Sequence, residues 1–180
     1  MGFPKTAPMR YLLLVTGAWL VVFLLTRSVL LVTHLDEVSG NLLPVFGVGL
    51  LYDLGFLAYA ALPLGLYLLL CPPGLWRLRG HRWFLQAVLT VSLFAMLFTS
   101  VAEWLFWDEF GVRFNFIAVD YLVYSKEVLN NLLESYPIGK LLSLLAVLAI
   151  VLSLALRKPF NAAMNSPLPA MRKRLLNALG

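Results

Sequence analysis

The chain has 180 residues, 61% of them hydrophobic and only 13% charged, and its mean hydropathy is +0.86. Soluble domains are about 45–50% apolar and about 25% charged, so the composition excludes an ordinary water-soluble fold and gives an integral membrane protein. The net charge of +5 does not point to nucleic acid, because the basic residues fall in short clusters between apolar runs, as topology signals do.

Residues 1–10 are short and polar, with Lys5 and Arg10. From Tyr11 to about Thr33 the chain stays apolar for about 20 residues, enough to span a hydrocarbon core about 30 Å thick. A secretory signal would have an apolar core of about 7–15 residues and a small-residue cleavage site. This run is longer and ends Arg27-Ser-Val-Leu-Leu-Val-Thr33, so it reads as an uncleaved first helix. A turn at 33–41 carries His34, Asp36, Glu37 and Gly40. The second span, about 42–71, contains Pro44 and Pro63 and is long enough to tilt. Pro72-Pro73-Gly74 ends it. The next loop carries Arg77, Arg79, His81 and Arg82, and the third span covers about 83–105. The fourth covers about 138–156 and closes at Arg157-Lys158-Pro159.

The tail, 159–180, has three prolines and then Arg172-Lys173-Arg174 before an apolar beginning. Two readings stand: a short basic amphipathic helix on the membrane surface, or the cytoplasmic flank of a fifth helix beyond this chain.

Between the third and fourth spans lies the one long stretch that is neither apolar span nor basic turn. Glu103, Asp108, Glu109, Asp120, Glu127 and Glu134 are six of the nine acidic residues, set against Arg113 and Lys126 alone. Read as a helix from about Phe114, residues Ile117, Tyr121, Tyr124, Val128 and Leu132 share one face, and Asp120, Glu127, Asn131 and Glu134 another. That pattern predicts an amphipathic helix over much of 106–137, lying in the interface and stopped by Pro137. Trp104 and Trp107 fit an aromatic belt where the third span leaves the bilayer.

Lys/Arg asymmetry predicts the orientation. The N-terminus, the 72–82 loop and the tail are basic, whereas the 33–41 turn has no Lys or Arg. Both termini are therefore expected in the cytoplasm and the 106–137 segment outside. The fold class expected is an all-α integral membrane protein: four transmembrane helices plus an outward-facing amphipathic interfacial helix between helices three and four.

Glu103, Trp107, Asp108, Arg113, Asn115, Asp120 and Tyr121 are the candidates for contact with a lipid headgroup or a docked external domain. An arginine is the natural partner of a phosphate, through its planar fork of donors. Pairing of Arg113 with Asp108 or Glu109 is the competing use, and a membrane-lying connector without chemistry is the bland reading of the whole segment.

Two charges fall inside spans, where they are expensive. Arg27 is about 9 Å below the outer end of the first span and Asp53 about 15 Å into the second, at 1.5 Å per residue. With side-chain length added these depths meet, which predicts an ion pair joining the two spans. The alternative is an Arg27 that snorkels and an Asp53 that is neutral or solvated in a cavity.

Cys71, the single cysteine, excludes an internal disulfide and reads as a small apolar residue at a helix end. His34 and His81 fall in predicted loops without ligand spacing, so no metal is expected in this chain. No phosphate loop, nucleophile elbow or helical metal motif is present.

The run from Phe106-Trp-Asp-Glu-Phe-Gly-Val-Arg-Phe-Asn-Phe-Ile-Ala-Val-Asp-Tyr121 to Glu134-Ser-Tyr-Pro137 resembles the membrane part of the lipoteichoic acid synthase / phosphoglycerol transferase family, whose bacterial members are often labelled sulfatase-like. Leu51-Tyr-Asp-Leu54 and Leu62-Pro-Leu-Gly-Leu-Tyr67 look like that family too. The resemblance implies five membrane helices followed by an extracytoplasmic domain of the alkaline phosphatase superfamily. That domain uses a threonine nucleophile and a divalent metal, commonly manganese, to move glycerol phosphate from phosphatidylglycerol to an acceptor. None of its catalytic positions maps onto these 180 residues. Related phosphoethanolamine transferases have a similar layout.

The expectation is thus a membrane-anchoring and lipid-presenting module in the bacterial inner membrane, its partners being the bilayer, phosphatidylglycerol, and a catalytic domain in cis or trans. The alternative is a stand-alone small membrane protein binding a partner through its outward helix. A membrane enzyme built on Glu103, Asp108 and Asp120 ranks below both, for want of a nucleophile.

Overall fold

The computed structural model describes residues 6–35, 42–111, 136–171 and 173–174. These form α1 (Ala7–Thr33), α2 (Leu43–Leu70), α3 (Pro73–Trp76), α4 (Arg79–Phe110), α5 (Ile138–Ala155) and α6 (Arg157–Met164), with no strand among the described residues. Helices α1, α2, α4 and α5 are long and apolar enough to cross a membrane.

Proline sets several of the boundaries. Pro8 and Pro44 lie in the first turns of α1 and α2, where a missing N–H costs nothing. Pro72 and Pro73 stop α2, and α3 then restarts at Pro73 for a single turn. Helix α4 begins at Arg79, earlier than the span predicted from about 83, so His81 lies in a first helical turn and not in a loop. It also runs to Phe110, past the predicted end near 105. Gly111, at φ 64°, closes it by donating its N–H to the Trp107 carbonyl at 2.7 Å. A left-handed residue is cheap only for glycine, and that is where the helix stops. The predicted interfacial helix lies, from residue 112 to 135, outside the described residues.

The tail departs from a proline-broken linker. Pro159 falls in the first turn of α6, where it is tolerated, and α6 turns Phe160, Ala163 and Met164 into the core. Phe160 meets Tyr11 of α1 edge to face, centroids 6.0 Å apart.

Helices α1 and α4 run parallel at the centre. Tyr11 donates to the Leu85 carbonyl at 2.7 Å, and the Thr26 and Ser100 hydroxyls are 2.8 Å apart. Both pairs are separated by 74 residues, so the register holds over about four turns. Tyr11, Val15 and Trp19 of α1 face Leu85, Leu89 and Leu93 of α4 at four-residue spacing. Helix α2 packs antiparallel on α1, and α5 on α4.

In lipid the hydrophobic effect does not drive helices together, so polar contacts and close packing do that work. The long helices are joined by such contacts: Arg27–Asp53 for α1 and α2, Tyr11–Leu85 and Thr26–Ser100 for α1 and α4, and Gln86 and Thr90 on Ser153 for α4 and α5.

The bundle has two unlike ends. Arg10, Arg77, Arg79, Arg82, Arg157, Lys158, Lys173 and Arg174 gather at one, formed by the start of α1, the end of α2, the start of α4 and the tail. Glu103 and Asp108 lie toward the other.

Candidate functional site

The structure brings Arg27 and Asp53 together. Arg27 Nη2 donates to both carboxylate oxygens, at 2.9 and 2.8 Å, and Nη1 reaches the Val45 carbonyl at 3.4 Å. Both side chains are buried, and Nε has no acceptor among the described residues. Val45, Gly49 and Asp53 follow one another at four-residue spacing and so share one face of α2. Glycine at the middle position makes room for the cation. A Cβ on Gly49 would lie 1.7 Å from Arg27 Nη1 and 2.1 Å from its Cζ, so any other residue there would force the guanidinium to move. The sequence flags the two charges, since each interrupts an apolar run. It does not flag Gly49, one of several glycines in a helix type where glycine is common.

Toward the acidic end, Glu103 is buried and engaged in an interaction, and Asp108 is exposed. The Trp107 ring lies 5.3 Å from that of His34 at the end of α1, and its Nε1 is buried without an acceptor among the described residues. Trp104 is half-exposed. Glu103, Trp107 and Asp108 thus lie within two turns of α4. Arg113, Asn115, Asp120 and Tyr121 lie outside the described residues.

An apolar groove of about 690 Å³ runs between α1, α4 and α5. Its α1 wall extends from Ala18 to Leu30, about 18 Å at 1.5 Å per residue, and Trp104 lines it on α4 toward the acidic end. Leu93, Leu97, Val101, Leu148 and Leu152 complete the walls, and the hydroxyls of Thr26 and Ser100 are already bonded to each other. Its size falls within the range of about 300–1,000 Å³ typical of ligand sites. Its lining is almost wholly apolar, which suits a hydrocarbon chain.

At the basic end, sequence reasoning missed a cluster. Cys71 Sγ lies 3.6 Å from His81 Nε2, and the rings of Tyr67, Trp76 and Phe84 surround that imidazole at 5.2 to 6.3 Å. His81 therefore has a sulfur neighbour that ten residues of separation and an expected loop had hidden. Among the described residues no three His, Cys, Asp or Glu side chains gather as a metal site.

Arg174 is buried above this cluster and donates to the Leu68 carbonyl at 2.7 Å and the Cys71 carbonyl at 2.6 Å. The reason lies in the prolines. Leu68 would ordinarily receive the N–H of residue 72, which as proline has none. A guanidinium from the tail replaces it, and a cation at a helix C-terminus also suits the macrodipole.

No family model, curated protein or solved structure matches the chain.

Proposed function

We propose that this chain is the membrane-anchoring and lipid-presenting module of a phosphoglycerol-transferase-like protein. The observation that carries the reading is the apolar groove between α1, α4 and α5, which extends toward the end bearing Trp104, Trp107 and Asp108. A lipid lying with one acyl chain in that groove would hold its headgroup beside the start of the 106–137 segment. The sequence resemblance supplies the rest: phosphatidylglycerol as the lipid, and an extracytoplasmic domain, in cis or trans, as the catalyst. The divalent metal, manganese or another, belongs to that domain. The chain's own residues bind and orient; they perform no transfer.

In this reading the protein sits in a bacterial inner membrane with both termini cytoplasmic, and the amphipathic segment carrying Arg113, Asn115, Asp120 and Tyr121 lies where catalytic domain and bilayer meet. The buried Arg27–Asp53 pair joins the lining helix α1 to α2 and so supports the groove's shape.

The test is a membrane-part exchange. Residues 1–180 replace the membrane helices of a phosphoglycerol transferase, joined to its fifth helix and catalytic domain, and phosphatidylglycerol turnover is followed in cells. Turnover is expected, and Ala18→Phe with Val101→Phe, which fill the groove, should abolish it without removing the protein from the membrane. A chimera that is exported, folded and inactive sinks the reading. So does one whose activity ignores the filled groove.

A further inference from the structure

A second pocket, distinct from the groove, lies at the basic end of the bundle. It has a volume of about 240 Å³ and opens between the starts of α4 and α6. Arg79, Arg82 and Arg157 line it, with Trp83, Gln86 and the buried Phe160. The sequence has no Asp or Glu from 54 to 102 or from 135 to 180, so nothing nearby in the chain neutralises the three cations. None of them forms a salt bridge among the described residues. Arg82 donates to the Asn165 side chain, a neutral acceptor.

Two of the cations are also at the wrong end of their helix. Arg79 and Arg82 both fall in the first turn of α4, which contains no acidic residue. Positive charge at the positive end of a helix is unfavourable, and an anion in the pocket reverses the sign of that interaction. Trp83 is 70% exposed at the same level, which in a membrane protein marks the headgroup layer. Beyond it, α4 exposes Val91 and α5 exposes Ile150 and Val151 toward the middle of the spans, a surface for acyl chains.

We infer that Arg79, Arg82 and Arg157 form a binding site for the phosphate of an anionic phospholipid in the leaflet at the basic end of the bundle. Arginine is suited to this, since its planar fork matches phosphate oxygens, and basic pockets between membrane helices take such headgroups. The inference does not rest on the proposed function, and it holds whatever the groove binds. Scattered topology charges would need no pocket and no convergence of two helix starts.

The experiment is native mass spectrometry of the full chain purified in detergent with equimolar phosphatidylglycerol and phosphatidylcholine. Three guanidinium contacts predict retention of the anionic lipid with a preference on the order of a hundredfold. Arg79→Gln/Arg82→Gln/Arg157→Gln should bring the two lipids to parity. Arg77→Gln/Lys158→Gln/Lys173→Gln removes as many charges away from the pocket and should leave the preference intact. Arg157→Gln alone, at an exposed position that folding tolerates, should lower it about fivefold. Equal loss in both triple variants overturns the site, as does an unchanged preference in Arg157→Gln. Displacement of the lipid by millimolar glycerol phosphate also overturns it, because the pocket would then take a soluble phosphate and not a lipid.

Discussion

Arg27 and Asp53 are held by geometry more than by attraction. Taking both out of water is costly, and the pair recovers that cost only while the carboxylate, the Val45 carbonyl and the space over Gly49 are all in place. Removing one partner therefore leaves a buried charge alone. Asp53→Asn and Arg27→Gln should each destabilise by about 3–5 kcal/mol in equilibrium unfolding from mixed micelles, and the double variant by clearly less than the sum. Additive losses would mean that the two charges act separately. Gly49→Ala should cost about 1–3 kcal/mol, because its Cβ displaces the guanidinium. Gly47→Ala, where an added Cβ meets nothing within 4 Å, should be neutral or slightly stabilising. The charges were legible in the sequence because a charge within an apolar run stands out against its neighbours. Gly49 was not, since its role depends on which residue of another helix faces it.

Among the elements, several helix boundaries reflect a missing or supplied backbone donor, as at Pro72, Gly111 and Arg174. The spans themselves were legible, because length and apolarity are local properties. The start of α4 at Arg79 and its extension to Phe110 were not, since polar residues continue a helix readily once a neighbour or the interface supports it. Helix α6 was hidden by its own proline, which breaks helices in their interiors but not in their first turns. The cap on α2 was out of reach for a different reason: Leu68 and Arg174 are 106 residues apart. Arg174→Gln should destabilise the bundle by about 1.5–3 kcal/mol, the usual worth of hydrogen bonds from a charged donor. Lys173→Gln, exposed beside it, should stay within about 0.5 kcal/mol in the same equilibrium unfolding from mixed micelles. Ser153→Ala, which removes the shared acceptor of Gln86 and Thr90, should loosen α5 from α4 at a cost of about 1 kcal/mol.

For the molecule as a whole, the two ends bring together residues from distant parts of the chain. Ala7 donates its N–H to the Pro167 carbonyl at 3.0 Å, and Arg174 closes over the end of α2 beside Cys71. The three arginines of the basic pocket likewise come from segments more than seventy residues apart, so composition revealed their charge but not their convergence. At the other end, the candidate residues on α4 were legible as one patch because they are neighbours in sequence.

The cap on α2 has a consequence for biogenesis. A ribosome adding about 5–20 residues per second needs about 5–20 s to travel from Cys71 to Arg174. Throughout that interval the Leu68 and Cys71 carbonyls lack the guanidinium that caps them in the folded protein. Cys71 is the only cysteine and is 2% exposed in the folded protein, so it serves as a built-in clock. Nascent chains stalled with residue 160 at the tunnel exit should react quickly with a membrane-permeant maleimide. Chains released past residue 174 should be protected, and Arg174→Gln should keep the clock running.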